Sequence, residues 1–299
     1  MFKFFSSFLV GFFITINSNA QLINTEKNIF SDEPFFNEEF ILCEKIKSIT
    51  GAFHYKRDHE KMHDKGVIVK YEFDTLGRLK RQYSTFKKYG GETDTSFVFY
   101  EYDNNGRLST KRTSDNFGFY SMSYTYDNNG NIIQETYSRE LSANNSAGEF
   151  SLGKQYPLGV EKFEFDYISP VFYKKKLLNN LGVPFKEISF IMNELGKVTE
   201  ETGTFLSIRH IERKNYTYNE KGKLTEKTEF TDLGQALTTQ YKYVYDKNDQ
   251  LIEIKKLKNT EPVQITEFML NNNGLITNRL SREISARIID ITKFSYEFY

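Results

Sequence analysis

Residues 100–108 read Tyr100-Glu-Tyr102-Asp103-Asn-Asn-Gly106-Arg-Leu108, and this string decides the fold. Aromatics two apart point to one face of a strand. Asp at the next position bonds its own backbone two residues on, and Gly three residues later accepts positive φ. A type I turn closed by a glycine bulge is a common hairpin connection. With that bulge, Asp103 faces the Gly106–Arg107 pair and Tyr102 stands opposite Leu108. The spacing predicts a β-hairpin.

The string recurs along the chain. Close copies run Tyr71-Glu-Phe73-Asp74-Thr-Leu-Gly77-Arg-Leu79 and Tyr124-Thr-Tyr126-Asp127-Asn-Asn-Gly130-Asn-Ile132. Looser copies are Phe163-Glu-Phe165-Asp166 ending at Val171, then Phe190 to Val198, Tyr216 to Leu224, Tyr243 to Leu251 and Phe268 to Ile276. Asp249 takes the glycine place in one of them, and Ser169 in another. The same register pairs Phe73 with Leu79, Tyr126 with Ile132, Phe165 with Val171 and Met192 with Val198. It also pairs Tyr218 with Leu224, Tyr245 with Leu251 and Leu270 with Ile276. The position between the aromatics is polar in most copies (Glu72, Glu101, Thr125, Glu164, Thr217), so one face is apolar and the other wet.

A second, less regular set of turns follows each of these, as at Tyr89-Gly90-Gly91, Leu181-Gly182-Val183-Pro184 and Asn259-Thr260-Glu261-Pro262. Prolines lie at the ends of strand patterns, where a missing N–H does little harm. Ser142 to Gly148, all small or polar, reads as an inserted loop. The chain is therefore expected to be all-β: an antiparallel meander of about eight repeated β-hairpins forming a curled sheet or open barrel-like wrap. Residues 67–299 form that repeat domain. Residues 21–66 lack the repeat and form an N-terminal cap segment, in which Phe40 to Lys47 and Gly51 to Arg57 are strands or a short cap.

Residues 1–20 carry the three-part secretory signal pattern: Lys3, an apolar run from Phe4 to Ile16, and small residues at Ser18-Asn19-Ala20 before Gln21. The run is too short to span a bilayer as a helix. The expected location is secreted, in the periplasm or at the cell exterior. Forty basic residues balance forty acidic ones, so nucleic acid, which needs a basic excess, is not an expected partner. The single Cys43 excludes an intrachain disulfide framework and reads as a buried spectator in a β-rich segment.

The Tyr-x-Tyr-Asp-x-x-Gly-Arg-Leu units at 100–108 and 71–79 resemble the YD repeats of the RHS family, shared with teneurins and the shell-forming subunits of insecticidal toxin complexes. The resemblance covers roughly residues 67–299. It implies a β-sheet that curls and a role in cell-surface contact. This chain is far shorter than such arrays and shows no self-cleaving junction, so a sealed toxin cocoon is not expected.

Three strings invite chemistry. His59-Glu60-Lys61-Met62-His63 matches HExxH, in which both His must share a helix face and bind zinc. Its flanks are charged all round, no third ligand sits at a suitable spacing, and a solvated turn is expected. Asp-Asn-Asn-Gly at 103–106 and 127–130 offers oxygen atoms for calcium but lacks the alternating carboxylates and closing Glu of a calcium loop. The final aromatics, Phe294 to Tyr299, evoke an outer-membrane barrel, yet Lys and Glu crowd most strands and break any lipid-facing surface. No catalytic residue, metal site or cofactor is therefore assigned, and binding residues are left unassigned. The sequence points to an exported, non-catalytic binding or scaffold protein, not integral in the membrane, that recognises carbohydrate or an envelope protein through its repeat sheet. A secreted hydrolase with paired carboxylates, or a partner or immunity protein of a secreted toxin, stands as the alternative.

Overall fold

A computed structural model describes residues 21–25, 36–115, 117–142, 152–208, 210–232 and 236–299. The proposed signal at 1–20 and the loop at 143–148 lie outside them. The described chain has one short helix, α1 (Glu38–Cys43), and a run of antiparallel strands. These are β1 (Ile46–Arg57), β2 (His63–Phe73), β3 (Leu79–Lys87), β4 (Thr93–Tyr102), β5 (Leu108–Asp115) and β6 (Gly118–Tyr126). They continue as β7 (Ile132–Ser142), β8 (Leu152–Ser169), β9 (Phe172–Leu178), β10 (Pro184–Met192), β11 (Val198–Phe205) and β12 (Ile211–Tyr218). The last are β13 (Leu224–Asp232), β14 (Ala236–Tyr245), β15 (Leu251–Lys258), β16 (Glu261–Leu270), β17 (Ile276–Glu283) and β18 (Ile288–Phe298).

Every strand pairs with the next, and β18 pairs back onto β1 with Thr50 opposite Ser295 and Gly51 opposite Phe294. The meander is a closed barrel of 18 strands, which corrects the expected open wrap of about eight hairpins. The reason lies in β1. It lacks the repeated string, yet it fills the gap between β18 and β2 and removes the two edges that an open sheet would expose.

The turn chemistry is uniform. At Asp74, Asp103, Asp127, Asn193, Asn219, Asp246 and Asn271, the side-chain Oδ1 accepts from the backbone N–H groups two and four residues on. The residue closing each turn takes positive φ, as with Gly106 at 77° and Asp249 at 61°. Seven of the eight expected cross-strand pairs are present, each beside a bulge: those at Phe73, Tyr102, Tyr126, Met192, Tyr218, Tyr245 and Leu270. The eighth is not. Phe165 faces Lys175 instead of Val171, because β8 runs on to Ser169 and turns at Pro170, which cannot extend the ladder. Asn179 to Val183, expected to be irregular, makes the same side-chain-capped turn at the opposite end of the barrel.

Alternation gives the sheet an aromatic face and an intervening face. Tyr100, Phe163, Phe190 and Tyr216 are buried, whereas Glu101, Glu164, Ile191 and Thr217, one residue on, are exposed. Hairpins are locked to one another across the aromatic face. The phenols of Tyr102, Tyr126, Tyr218, Tyr245 and Tyr296 donate at 2.7 Å to the carbonyls of Leu79, Leu108, Val198, Leu224 and Ile276 in the preceding hairpin. Arg78 and Arg107 each reach back to the turn Asp and lie 4.5 Å above the ring of Tyr102 or Tyr126. One arginine thus ties its own turn to the next repeat. The intervening face has one deeply buried pair, Arg112 and Glu140, at 2.8 Å, with Glu101 as a second acid on Arg112.

The N-terminal segment packs on the aromatic face. Ile23 bridges to Phe36, Asn37 caps α1 by accepting from the N–H groups of Glu39 and Phe40, and Phe36 meets Tyr71 and Phe73 edge-on. Leu22, Phe40, Ile41, Ile46, Ile49, Phe73, Leu275 and Ile276 form one buried cluster. Cys43 is exposed, contrary to the buried position expected of it, because it ends α1 while Phe40 and Ile41 take the helix's buried side.

Candidate functional site

Register brings together residues that no local pattern links. On the aromatic face, Tyr241 of β14 stands beside Lys256 of β15, Lys256 beside Gln264 of β16, and Gln264 beside Glu283 of β17. One step along the strands, Ile254 stands beside Thr266, Thr266 beside Ser281, Ser281 beside Asp290 of β18, and Asp290 beside Tyr55 of β1. Two hollows sit over these rows. One of about 240 Å³ is walled by Ile23 and Thr25 of the N-terminal segment and floored by Tyr241, Tyr243, Ile254, Lys256, Gln264 and Thr266. The other, of about 430 Å³, is lined by Tyr55, Arg57, Lys65, Gln264, Ser281, Glu283, Ile288 and Asp290. Gln264 lines both, so they adjoin as one groove that crosses the β18–β1 seam.

The groove's chemistry is that of amides, hydroxyls, rings and charges. Gln264 Nε2 donates to Ser281 Oγ at 2.8 Å, and Ser281 lies 3.3 Å from the Thr266 hydroxyl. His63 stacks on Tyr55 at 5.1 Å between centroids, and the Arg57 guanidinium lies 5.7 Å from the same ring. Lys227 and Lys256 each lie 5.6 Å from the Tyr241 ring. Burial, followed by the neighbouring Tyr245 and Tyr241, pushes the Tyr243 phenol up, so it remains a donor at any physiological pH. Lys65 pairs with Asp290 at 2.6 Å.

His59 to Met62 lie in the turn between β1 and β2 and His63 opens β2 opposite Tyr55, with His59 at a φ of 64° that no helix interior allows. Glu60 lies 3.5 Å from His63, and among the described residues no group of three or more His, Cys, Asp or Glu could hold a metal. Asp103 and Asp127 spend Oδ1 on the backbone and Oδ2 on Arg107 or Asn131, which accounts for their oxygens without calcium. Two acid pairs are register partners, Glu135 with Glu161 across β7 and β8 and Glu253 with Glu267 across β15 and β16, while Glu283 and Asp290 line the same hollow of the groove. Tyr137 donates to Glu135 at 2.9 Å, and burial lowers the pKa of nearby Lys175.

No family model matches the chain, and no curated protein matches it. Among solved structures it is similar to a porin-like protein from Bacteroides uniformis, at 11% identity over 85% of this chain and 97% of that one, with a TM-score of 0.39. It is also similar to the TcdB2–TccC3 assembly, at 12% identity over 75% of this chain and 15% of that one, with a TM-score of 0.26. The Tc holotoxin pore of Photorhabdus luminescens gives 14% identity over 74% of this chain and 15% of that one, with a TM-score of 0.20. At these values the likenesses carry neither a family nor an activity to this chain.

Proposed function

We propose that this is an exported, non-catalytic binding protein that recognises carbohydrate through the groove on its aromatic face. The observation that carries the reading is the groove itself, where tyrosine rings alternate with the amide of Gln264 and the hydroxyls of Thr266 and Ser281. Flat rings with polar edges suit sugar faces, and amides and hydroxyls match sugar hydroxyls. The barrel works in water in this reading. Its intervening face carries Glu72, Arg81, Glu101, Lys176, Lys242, Glu253, Glu267 and Lys293, and its aromatic face carries Lys111, Glu161, Lys214 and Lys256. Neither face offers the unbroken apolar band a transmembrane barrel needs.

A hydrolase reading has one observation in its favour, the two carboxylates Glu283 and Asp290 in a single cleft. A glycan-binding screen beside a glycosidase panel separates the two. Stable binding without turnover, unchanged in catalytic readout by Glu283→Gln, is the expected result. Turnover abolished by Glu283→Gln or Asp290→Asn would overturn the binding reading.

A further inference from the structure

Three charges across the groove, Lys256, Glu283 and Arg57, alternate in sign. Lys256, Gln264 and Glu283 are successive register partners on β15, β16 and β17. Arg57 stands opposite Ile288 at the adjoining position, with β18 between it and β17. Strands are ~4.8 Å apart, so Lys256, Glu283 and Arg57 recur at roughly 10 Å, two strands each time. Among the described residues none of the three has an ion-pair partner, although Lys65 and Asp290 in the same cleft are paired with each other. An unpaired guanidinium and an unpaired carboxylate in one hollow each lack a counter-charge that a ligand can bring.

We infer that the groove selects a zwitterionic saccharide, one bearing both carboxylate or phosphate groups and free amines, with anions at Lys256 and Arg57 and an amine at Glu283. The inference rests on the carbohydrate reading above and deepens it. The closed ladder argues against a peptide. Extended peptides gain affinity by adding a strand to an open edge, and here β1 and β18 are joined along their length. Recognition must run through side chains, and between the charges those are Gln264, Ser281 and Tyr55.

The test uses three matched oligosaccharide probes on the full exported chain: de-N-acetylated hyaluronan oligomers, which carry carboxylates and amines; the acetylated parent, which carries carboxylates only; and chitosan oligomers, which carry amines only. Binding by calorimetry at low salt should favour the zwitterionic probe by at least tenfold over either other, and the preference should shrink as salt rises. Glu283→Gln should erase the preference over the acetylated parent. Arg57→Gln with Lys256→Gln should erase the preference over chitosan, while Lys242→Gln on the intervening face changes nothing. These positions are at the surface or beside it, and unfolding melts check that each variant folds. Equal affinity for all three probes would overturn the zwitterion inference and leave the carbohydrate reading intact. Binding of none of them, with capture of a peptide of alternating Lys and Glu, would overturn both.

Discussion

The phenol of Tyr102 donates to the carbonyl of Leu79 at 2.7 Å, joining β4 of one hairpin to β3 of the one before it. The same bond recurs down the barrel, and at Tyr299 it crosses the closure, reaching the carbonyl of Phe73 at 2.7 Å. The second aromatic of the repeated string is therefore a tyrosine where it must reach a neighbour, and Phe, Met or Leu where it need not, as at Phe73, Phe165, Met192 and Leu270. Tyr102→Phe keeps the ring and the Arg78 contact but loses the bond, so it should cost about 1 kcal/mol. Urea melts measure this, and the same change at Tyr120, which is exposed and makes no such bond, should be neutral.

Gly77 and Gly130 occupy the same turn position but not the same surroundings. Open space surrounds Gly130, whereas a Cβ on Gly77 would run into the Glu38 carbonyl and the Leu42 backbone of α1. Gly130→Asn should cost no more than about 1 kcal/mol, since Asn accepts the left-handed conformation. Gly130→Val should cost more. Gly77→Asn should cost more than either, and limited proteolysis should then cut in the N-terminal segment while leaving the sheet intact.

Acid should weaken the turns. The backbone N–H of Arg107 and its side chain hold the Asp103 carboxyl below its usual range, and the Asn131 side chain does the same for Asp127. At Asp74 burial pushes upward, but the bonds from Arg78 and Leu76 outweigh it. A carboxyl depressed in the folded state stabilises above its unfolded value and loses that contribution as pH falls through the folded one. The urea midpoint should hold steady from neutral pH to about pH 5 and drop below about pH 4. Asp103→Asn should fold, because Asn193, Asn219 and Asn271 already serve in this place, and should flatten the drop.

Much of the barrel was legible because its turns carry local chemistry: an Asx oxygen, a positive φ three residues on and an aromatic before them set register without reference to the rest of the chain. The hairpin at Phe165 was misread where that chemistry fails, since Ser169 and Pro170 replace the glycine. Closure was illegible for a different reason. Ser48, in a strand without the string, donates to Glu297 at 2.8 Å across 249 positions, and nothing local marks either residue. The groove shares that origin, because Arg57, Lys256 and Glu283 stand at non-repeat positions and meet only through long-range register. The double duty of Arg78 and Arg107, toward the turn Asp and toward the next Tyr, shows only once the three-dimensional neighbour is seen.

Arg112 is the buried charge most exposed to mutation. Arg112→Met would leave Glu140, whose side chain is 3% accessible, without its partner, at about 3–5 kcal/mol. The double change Arg112→Met with Glu140→Leu should recover most of that loss. Equal stability of the single and double variants, by denaturant melts, would show that the pair is not buried as described.

Closure of β18 onto β1 carries both the barrel and the groove, because the 430 Å³ hollow takes residues from each side of that seam. The direct measurement is a crosslink between Thr50→Cys and Ser295→Cys, register partners across the seam, in a Cys43→Ser background. Neighbouring residues of an antiparallel pair lie within disulfide reach. Oxidation should give an intramolecular bond in nearly all molecules, with retained solubility and no covalent dimer, whereas Thr50→Cys with Ile289→Cys, which are not partners, should remain reduced. Failure of the first pair to join, or joining only between molecules, would contradict the closed barrel.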